Sequence, residues 1–182
     1  MNIAVFSDKF SGTLSAIEVL DIVQSKFLDS NINADFFSVT DGGQESTEIF
    51  KSHNFQTHES FEALNCDNSL AVVESLNING SVFFESAKLI GVDSKNESMS
   101  INTGCLLDAV QKTEVLGTGG SKTIDFGIGL LSKLGMEFIS NGEIIVDPVP
   151  KDFSYIDQIK ATNFKSNLEN RILSDTNISL LG

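Results

Sequence analysis

The sequence predicts an α/β protein that opens with a parallel, doubly wound layer and then changes texture. Three observations carry this expectation. Strand-like apolar runs alternate with amphipathic helical patterns up to Phe55. From Gln56 to Glu85 the pattern shifts to short strand-like pieces joined by turn signals. A glycine-rich stretch, Val115 to Gly135, then passes from strand to helix.

Ile3 to Phe6 reads as the first strand and leads into the polar loop Ser7 to Thr13. A helix follows, because Ser15 and Glu18 form a capping box and Ala16, Val19, Leu20, Val23 and Phe27 recur at helical spacing. Ala34 to Val39 alternates like a second strand and ends in Thr40-Asp41-Gly42-Gly43, with Glu45 to Phe50 opening the next helix. In such β-α-β-α layers ligands gather beyond the carboxyl ends of the strands, where Asp8 and Asp41 both fall. Either aspartate could instead serve its own loop, Asp8 by capping local N–H groups and Asp41 by forming a turn.

Gln56 to Ser60, Leu70 to Leu76 and Val82 to Glu85 are the strand pieces of the second texture, the last following an Asn79-Gly80 hairpin signal. A boundary near residue 60 is expected, with residues 1–60 in the first portion and 61–182 in the second. Glu85 and Lys88 close the last strand and either meet a substrate or pair with each other. Asn102-Thr103-Gly104 leads into a helix carrying Leu106, Leu107 and Val110. In the central stretch the strand ends at Val115 and Leu116, the turn holds Gly117, Gly119 and Gly120, and a helix with Phe126, Leu130, Leu131 and Leu134 on its apolar stripe stops at Gly135. A strand-to-helix passage of this kind leaves backbone N–H groups uncovered beside the positive end of a helix, a good place for phosphate or carboxylate. It also reads as a tight turn without a ligand. Met136 to Ile139 and Glu143 to Val146 form a hairpin across Asn141-Gly142, the segment after Asp147-Pro148-Val149-Pro150 is less regular, and Arg171 to Leu173 is one more strand.

The chain has 182 residues, 41% of them hydrophobic, enough for a core of ordinary size. Its 25 acidic and 12 basic residues give a net charge of −13, which argues against a nucleic-acid partner because no excess of Lys or Arg is available to release counterions. No apolar window suits a bilayer, no leader pattern opens the chain, and the cytoplasm is the expected location. Cys66 and Cys105 suggest neither a disulfide framework nor a zinc site, and His53 and His58 read as solvated. A dinucleotide-binding oxidoreductase is a poor reading, since the glycine spacing fails the G-x-G-x-x-G pattern.

Taken in order, SDKFSGTLSA (Ser7 to Ala16), TDGGQES (Thr40 to Ser46), FESAK (Phe84 to Lys88), NTG (Asn102 to Gly104) and GTGGSKTIDFGIG (Gly117 to Gly129) resemble the type I glycerate kinases. Members of that family typically show PDSFKGSLSA, ADGGEGT, IEMA, YGTGE and GIGGSATNDGG at these places, and SDTNISLLG at the end is similar to the family's CDVDNPLLG. The resemblance implies a flavodoxin-like (Rossmann-like) portion followed by part of a second, inserted α/β domain. It implies too that the chain covers about the first half of a typical member, without the later return of the first domain.

The implied chemistry is transfer of phosphate from ATP, with Mg²⁺, to a hydroxyl of D-glycerate. On that reading Gly119, Gly120 and Ser121 cradle phosphate or carboxylate, and Ser11, Gly12, Gly42 and Gly43 line the facing loops. Glu85, Lys88, Thr103 and Gly104 complete the binding set, and Lys9 or Lys88 supplies a cation. Asp41 and Asp125 are the candidates for holding Mg²⁺ or accepting the hydroxyl proton, with Asp8 third, and the roles stay open among them. Ser11 stands where the family has Lys, Gln44 where it has Glu, Glu45 where it has Gly, and Ile124 and Phe126 where it has Asn and Gly. With the missing half, these departures support an alternative, a truncated or degenerate, non-catalytic binder of a small acid or nucleotide. A homodimer or a complementary chain is expected to cover the surface left open.

Overall fold

The computed structural model describes residues 3–10, 12–30, 32–164 and 168–174. Ser11 and the terminal Asp175 to Gly182, which carry part of the family resemblance, lie outside the described residues. Strand β1 (Ile3–Ser7), helix α1 (Ala16–Asp29) and strand β2 (Ala34–Ser38) make the first unit. β1 and β2 pair in parallel, Ile3 opposite Ala34 and Ser7 opposite Ser38. Side chains alternate between the two faces of a strand, so Phe36 meets Phe27 of α1 edge-on at 5.4 Å while Phe6 and Phe37 stack at 5.3 Å on the uncovered face. The capping box starts α1 as the sequence predicts: Glu18 N donates to Ser15 Oγ at 3.2 Å and Ser15 N to Glu18 Oε2 at 2.8 Å.

Helix α2 (Ser46–Ser52) follows, then β3 (Gln56–Leu64), β4 (Leu70–Ile78), β5 (Ser81–Glu85) and the single-turn helix α3 (Ala87–Ile90). After a 3₁₀ turn over Thr103–Leu106 come α4 (Leu107–Lys112), β6 (Val115–Gly117), α5 (Ile128–Lys133), β7 (Glu137–Ser140), β8 (Glu143–Ile144), β9 (Gln158–Lys160) and β10 (Arg171–Leu173). A five-stranded sheet has the order β10-β6-β5-β4-β3, antiparallel on the β3-β4-β5 side and parallel across β5, β6 and β10. The remaining strands form a small antiparallel sheet, β8-β7-β9.

Both hairpin signals hold. Asn79 and Gly80 take φ of 53° and 89°, and Asn141 and Gly142 take 50° and 84°, the left-handed pair that a two-residue hairpin turn needs. Residue 60, near which a boundary was expected, lies in the middle of β3. Packing crosses that point as well: Phe50 of α2 meets Phe83 of β5 edge-on at 5.1 Å. β9 escapes sequence reading because Gln158-Ile159-Lys160 is too short to show alternation, and it is fixed by its pairing with β7.

Alternation along β5 turns Phe83 toward α2 and the adjacent Phe84 toward the opposite face. There Phe61, Val73, Leu106, Val110 and Leu116 form the main core with it. Phe84 is completely buried, with its ring 5.8 Å from that of Phe61. Removing such a ring loses its transfer free energy and leaves a cavity. Phe84→Ala is expected to lower unfolding free energy by about 3 kcal/mol or more in urea titrations, and a loss below about 1 kcal/mol would place this face outside the cooperative core.

Candidate functional site

The loops that leave the carboxyl ends of β1, β2, β5 and β6 converge, although β1 and β2 belong to one sheet and β5 and β6 to another. Glycine makes the approach possible. A β carbon on Gly117 would lie 2.0 Å from the Gly42 carbonyl oxygen, and one on Gly119 would lie 2.7 Å from the α carbon of Gly43. Gly42 also abuts Leu173 at the end of β10. Lys9 reaches the same place from β1 and donates from Nζ to the Gln44 carbonyl at 3.0 Å. Beside this contact a cleft of about 270 Å³ is lined by Lys9, Phe10, Gly12, Ser15, Gln44 and Glu45.

Within the second loop, Gly42 N donates to Thr40 Oγ1 at 3.1 Å and Gly43 N to Asp41 Oδ1 at 2.7 Å, so these two N–H groups are already engaged. Asp41 is exposed, and that single bond is its hydrogen bonding among the described residues. Asp8 is likewise exposed and accepts from Lys9 N at 2.7 Å. In the turn after β6, no acceptor within the described residues takes the N–H groups of Gly119, Gly120 or Ser121. Successive N–H groups left open in a turn are donors of the kind an oxyanion site uses.

Asp125 has a different setting. It is buried, and Oδ2 accepts from Thr103 N at 2.8 Å, Thr103 Oγ1 at 2.9 Å and Gly129 N at 3.1 Å, while Oδ1 accepts from Gly127 N at 3.0 Å. Thr103 Oγ1 in turn accepts from Leu130 N at 3.1 Å. The carboxylate thus ties the turn after Asn102 to the start of α5 and satisfies N–H groups that a helix end leaves free. Gly104 N goes to Asn102 Oδ1 at 2.8 Å. Asn102 itself clamps the segment before α4 to the prolines, donating from Nδ2 to the Pro148 carbonyl at 2.8 Å. This clamp is legible in the sequence only as part of the Asn-Thr-Gly motif.

Glu85 and Lys88 do pair, but not simply with each other. Glu85 is buried, its Oε1 accepting from Glu45 N at 3.1 Å and its Oε2 from Thr47 N at 2.9 Å. Lys88 Nζ lies 3.9 Å from Glu85 Oε1 and 2.6 Å from Glu48 Oε1. Burial pushes the Glu85 carboxyl above its ordinary value, against the hydrogen bond from Thr47 and the charge of Lys88. For Lys88, burial acts to lower the ammonium, yet the carboxylates of Glu48, Glu85 and Glu74 outweigh it and hold it above the usual lysine value.

Among the described residues no three His, Cys, Asp or Glu side chains group to hold a metal. Cys66 and Cys105 are free thiols beside a larger cleft of about 460 Å³ that also includes Asn102 and Gly104, and burial pushes the Cys105 thiol up to about 12. His53 is tied by Nε2 to the Ser38 carbonyl at 2.8 Å.

The expected start of the central helix is corrected. α5 begins at Ile128, and Phe126 lies outside its apolar stripe with φ of 51°, 64% exposed, stacked on Phe153 at 5.4 Å. Left-handed backbone at Phe126 and Gly127 turns the chain so that Gly127 N and Gly129 N meet Asp125. Glu45 has φ of 74° and spends its side chain on Ala16 N at 3.3 Å. Both residues stand where the resembling family has glycine, and both retain the conformation that glycine takes without cost.

A mixed α/β protein whose strand-end loops meet through glycine backbone is the class that this fold and site define. Comparison with known proteins narrows it: the sequence model of the glycerate kinase family matches residues 3–182, and the chain belongs to that family. A glycerate kinase of Bacillus subtilis (strain 168) is 25% identical over 93% of this chain and 48% of its own length. One of Bacillus cereus (strain ATCC 10987 / NRS 248) is 25% identical over 86% of this chain and 47% of its own. A crystal structure assigned as a glycerate kinase 2 of Salmonella typhimurium LT2 superposes with a TM-score of 0.64 at 18% identity, covering 94% of this chain and 50% of that one, which supports the fold. The chain spans about half the length of the curated relatives it matches.

Two measurements follow from this geometry. Left-handed backbone costs a bulky residue about 1–2 kcal/mol, whereas the aromatic stack returns about 0.5–1.5 kcal/mol. In a Phe153→Ala background, where the stack is already gone, Phe126→Gly should raise unfolding free energy by about 1 kcal/mol, and by less in the parent chain. An equal or opposite effect in the two backgrounds would contradict this account. Glu85 has a raised folded-state value, so its contribution to stability is complete below its ordinary 4.5 and is lost as pH rises through the folded-state value. The stability of the parent relative to Glu85→Gln should therefore fall as pH rises above the ordinary 4.5 in urea titrations, and a constant difference would count against burial as the cause.

Proposed function

We propose that the chain takes part in ATP-dependent phosphorylation of a hydroxyl of D-glycerate in the cytoplasm. The observation that carries this reading is the set of N–H groups at Gly119, Gly120 and Ser121 that find no acceptor among the described residues, with Lys9 and Asp41 on the facing loops. Phosphoryl transfer asks a protein chiefly for positioning and charge neutralisation, and these residues are of the kinds required. ATP would supply the transferred phosphoryl group, and Mg²⁺ would neutralise charge on its oxygens.

In this reading the turn N–H groups bind an oxyanion, and Lys9 adds the cation. Lys88 is less suited because Glu48 and Glu85 already hold it. Asp41 fits a Mg²⁺ ligand or proton acceptor: it is exposed, and Mg²⁺ in kinases commonly takes one or two carboxylates alongside phosphate oxygens. Asp125 fits neither role, since four donors of the chain occupy its two oxygens. It is instead a positioning residue, and Thr103 and Gly104 serve the same turn. Asp8, exposed after β1 beside Lys9, remains the third candidate carboxylate.

A second reading is favoured by the uncovered β1-β2 face, where Phe6 is 66% exposed. Parallel sheets are ordinarily covered on both faces, so the site could be complete only with a second copy or a complementary chain. The deciding measurement is ADP release by the purified chain with ATP and Mg²⁺, with and without D-glycerate. Stimulation by glycerate is expected, with Asp41→Asn lowering turnover at least tenfold, about 1.4 kcal/mol of barrier, at unchanged stability. Asp125→Asn is expected to act through lost stability. Absence of stimulation in a folded sample would favour the non-catalytic binder or the incomplete site.

A further inference from the structure

We infer that Glu85 is a positioning residue that fixes the anion cradle by holding the loop after β2 onto the turn after β6. This inference rests on the reading of that turn as the phosphate site. α2 has no side-chain cap of its own: Glu45 at its N-cap position is left-handed and makes no capping bond. The N–H groups that need an acceptor there are taken by a carboxylate 40 residues away, on a strand of the other sheet. One oxygen accepts from Glu45 N and the other from Thr47 N, so the carboxylate spans the junction of loop and helix.

A side-chain acceptor at a helix start satisfies N–H groups that the helix leaves free, and removing it would strand them. The bonds here are sheltered, since Glu85 is 1% exposed with Lys88 and Glu48 packed beside it. What they hold is the loop carrying Asp41, Gly42 and Gly43. Among the described residues that loop meets the turn through glycine backbone, Gly43 on Gly119 and Gly42 on Gly117, through Gln44 against Gly120, and through Leu173, whose carbonyl accepts from Thr118 N at 3.1 Å. Glycine contacts of this kind supply closeness but little area. The cross-sheet carboxylate supplies the attachment, with each of its oxygens accepting from a backbone N–H.

Amide hydrogen exchange followed by NMR, together with ADP-release kinetics, tests the assignment in Glu85→Gln and in the milder Glu85→Asp. Exchange should quicken at least tenfold at Glu45 and Thr47 and also at Thr118 across the contact, with Val73 in the core unchanged. The KM for ATP should rise at least tenfold with a smaller change in kcat, and Glu85→Asp should fall between the parent and Glu85→Gln. Quickening confined to Glu45 and Thr47, or a loss wholly in kcat, would overturn the inference. If Glu85→Gln does not fold, the same exchange comparison in Glu85→Asp decides. An inactive parent would refute the kinase reading, while the exchange pattern would still settle whether Glu85 couples the loop to the turn.

Discussion

The closest constraint in this protein is the contact of two glycine-containing loops, Gly42-Gly43 against Gly117-Gly119. It joins a two-stranded parallel sheet to a five-stranded mixed one at their carboxyl ends, and no side chain larger than hydrogen fits between. Everything proposed to act at the site lies on one or other of these loops or beside them. The N–H groups of Gly119 and Gly120 come from one side, while Asp41 and the Lys9 ammonium, resting on the Gln44 carbonyl, come from the other. A shift of about 1 Å in such a contact is enough to spoil a catalytic geometry, which is why the groups that brace it matter as much as those that face a ligand.

Two carboxylates do that bracing, in the same chemical way. Glu85 takes the free N–H groups at the start of α2, and Asp125 those at the start of α5. Each connects a helix N-terminus to residues distant in sequence, Glu85 from β5 and Asp125 through Thr103. Both helices are short, seven and six residues, and short helices draw their stability from tertiary contacts more than from propensity. The acidic residues that looked most like chemistry are therefore partly architecture, and of the candidate aspartates Asp41 and Asp8 stay exposed.

Much of this was legible in the chain. The capping box of Ser15 and Glu18, both Asn-Gly hairpins, the strand at Arg171 to Leu173 and the succession of strand-end loops follow from local chemistry that a sequence displays directly. What was not legible depended on long-range partners. Nothing near Glu85 says that its acceptor capacity is spent on residues 40 positions earlier, and nothing near Asp125 says that Thr103 will fill it. Phe126 was misplaced on the helix because its spacing to Leu130 is helical, whereas the backbone there obeys the capping of Asp125 instead.

The substitutions at glycine positions bear on function through the same physics. At Glu45 and Phe126 the chain holds a left-handed backbone without the residue that favours it. Other contacts must over-determine such conformations for them to persist. At Phe126 the stack on Phe153 contributes, and at Glu45 the carboxylate of Glu85 and the bond to Ala16 N do. A net charge of −13 sets the complementary limit. At long range the protein repels an anion, so attraction must come from fixed N–H dipoles a few ångströms away, which act only if their geometry is held. For this chain the persistence of the loop conformations, more than the identity of every side chain on them, is what the proposed anion site would depend on.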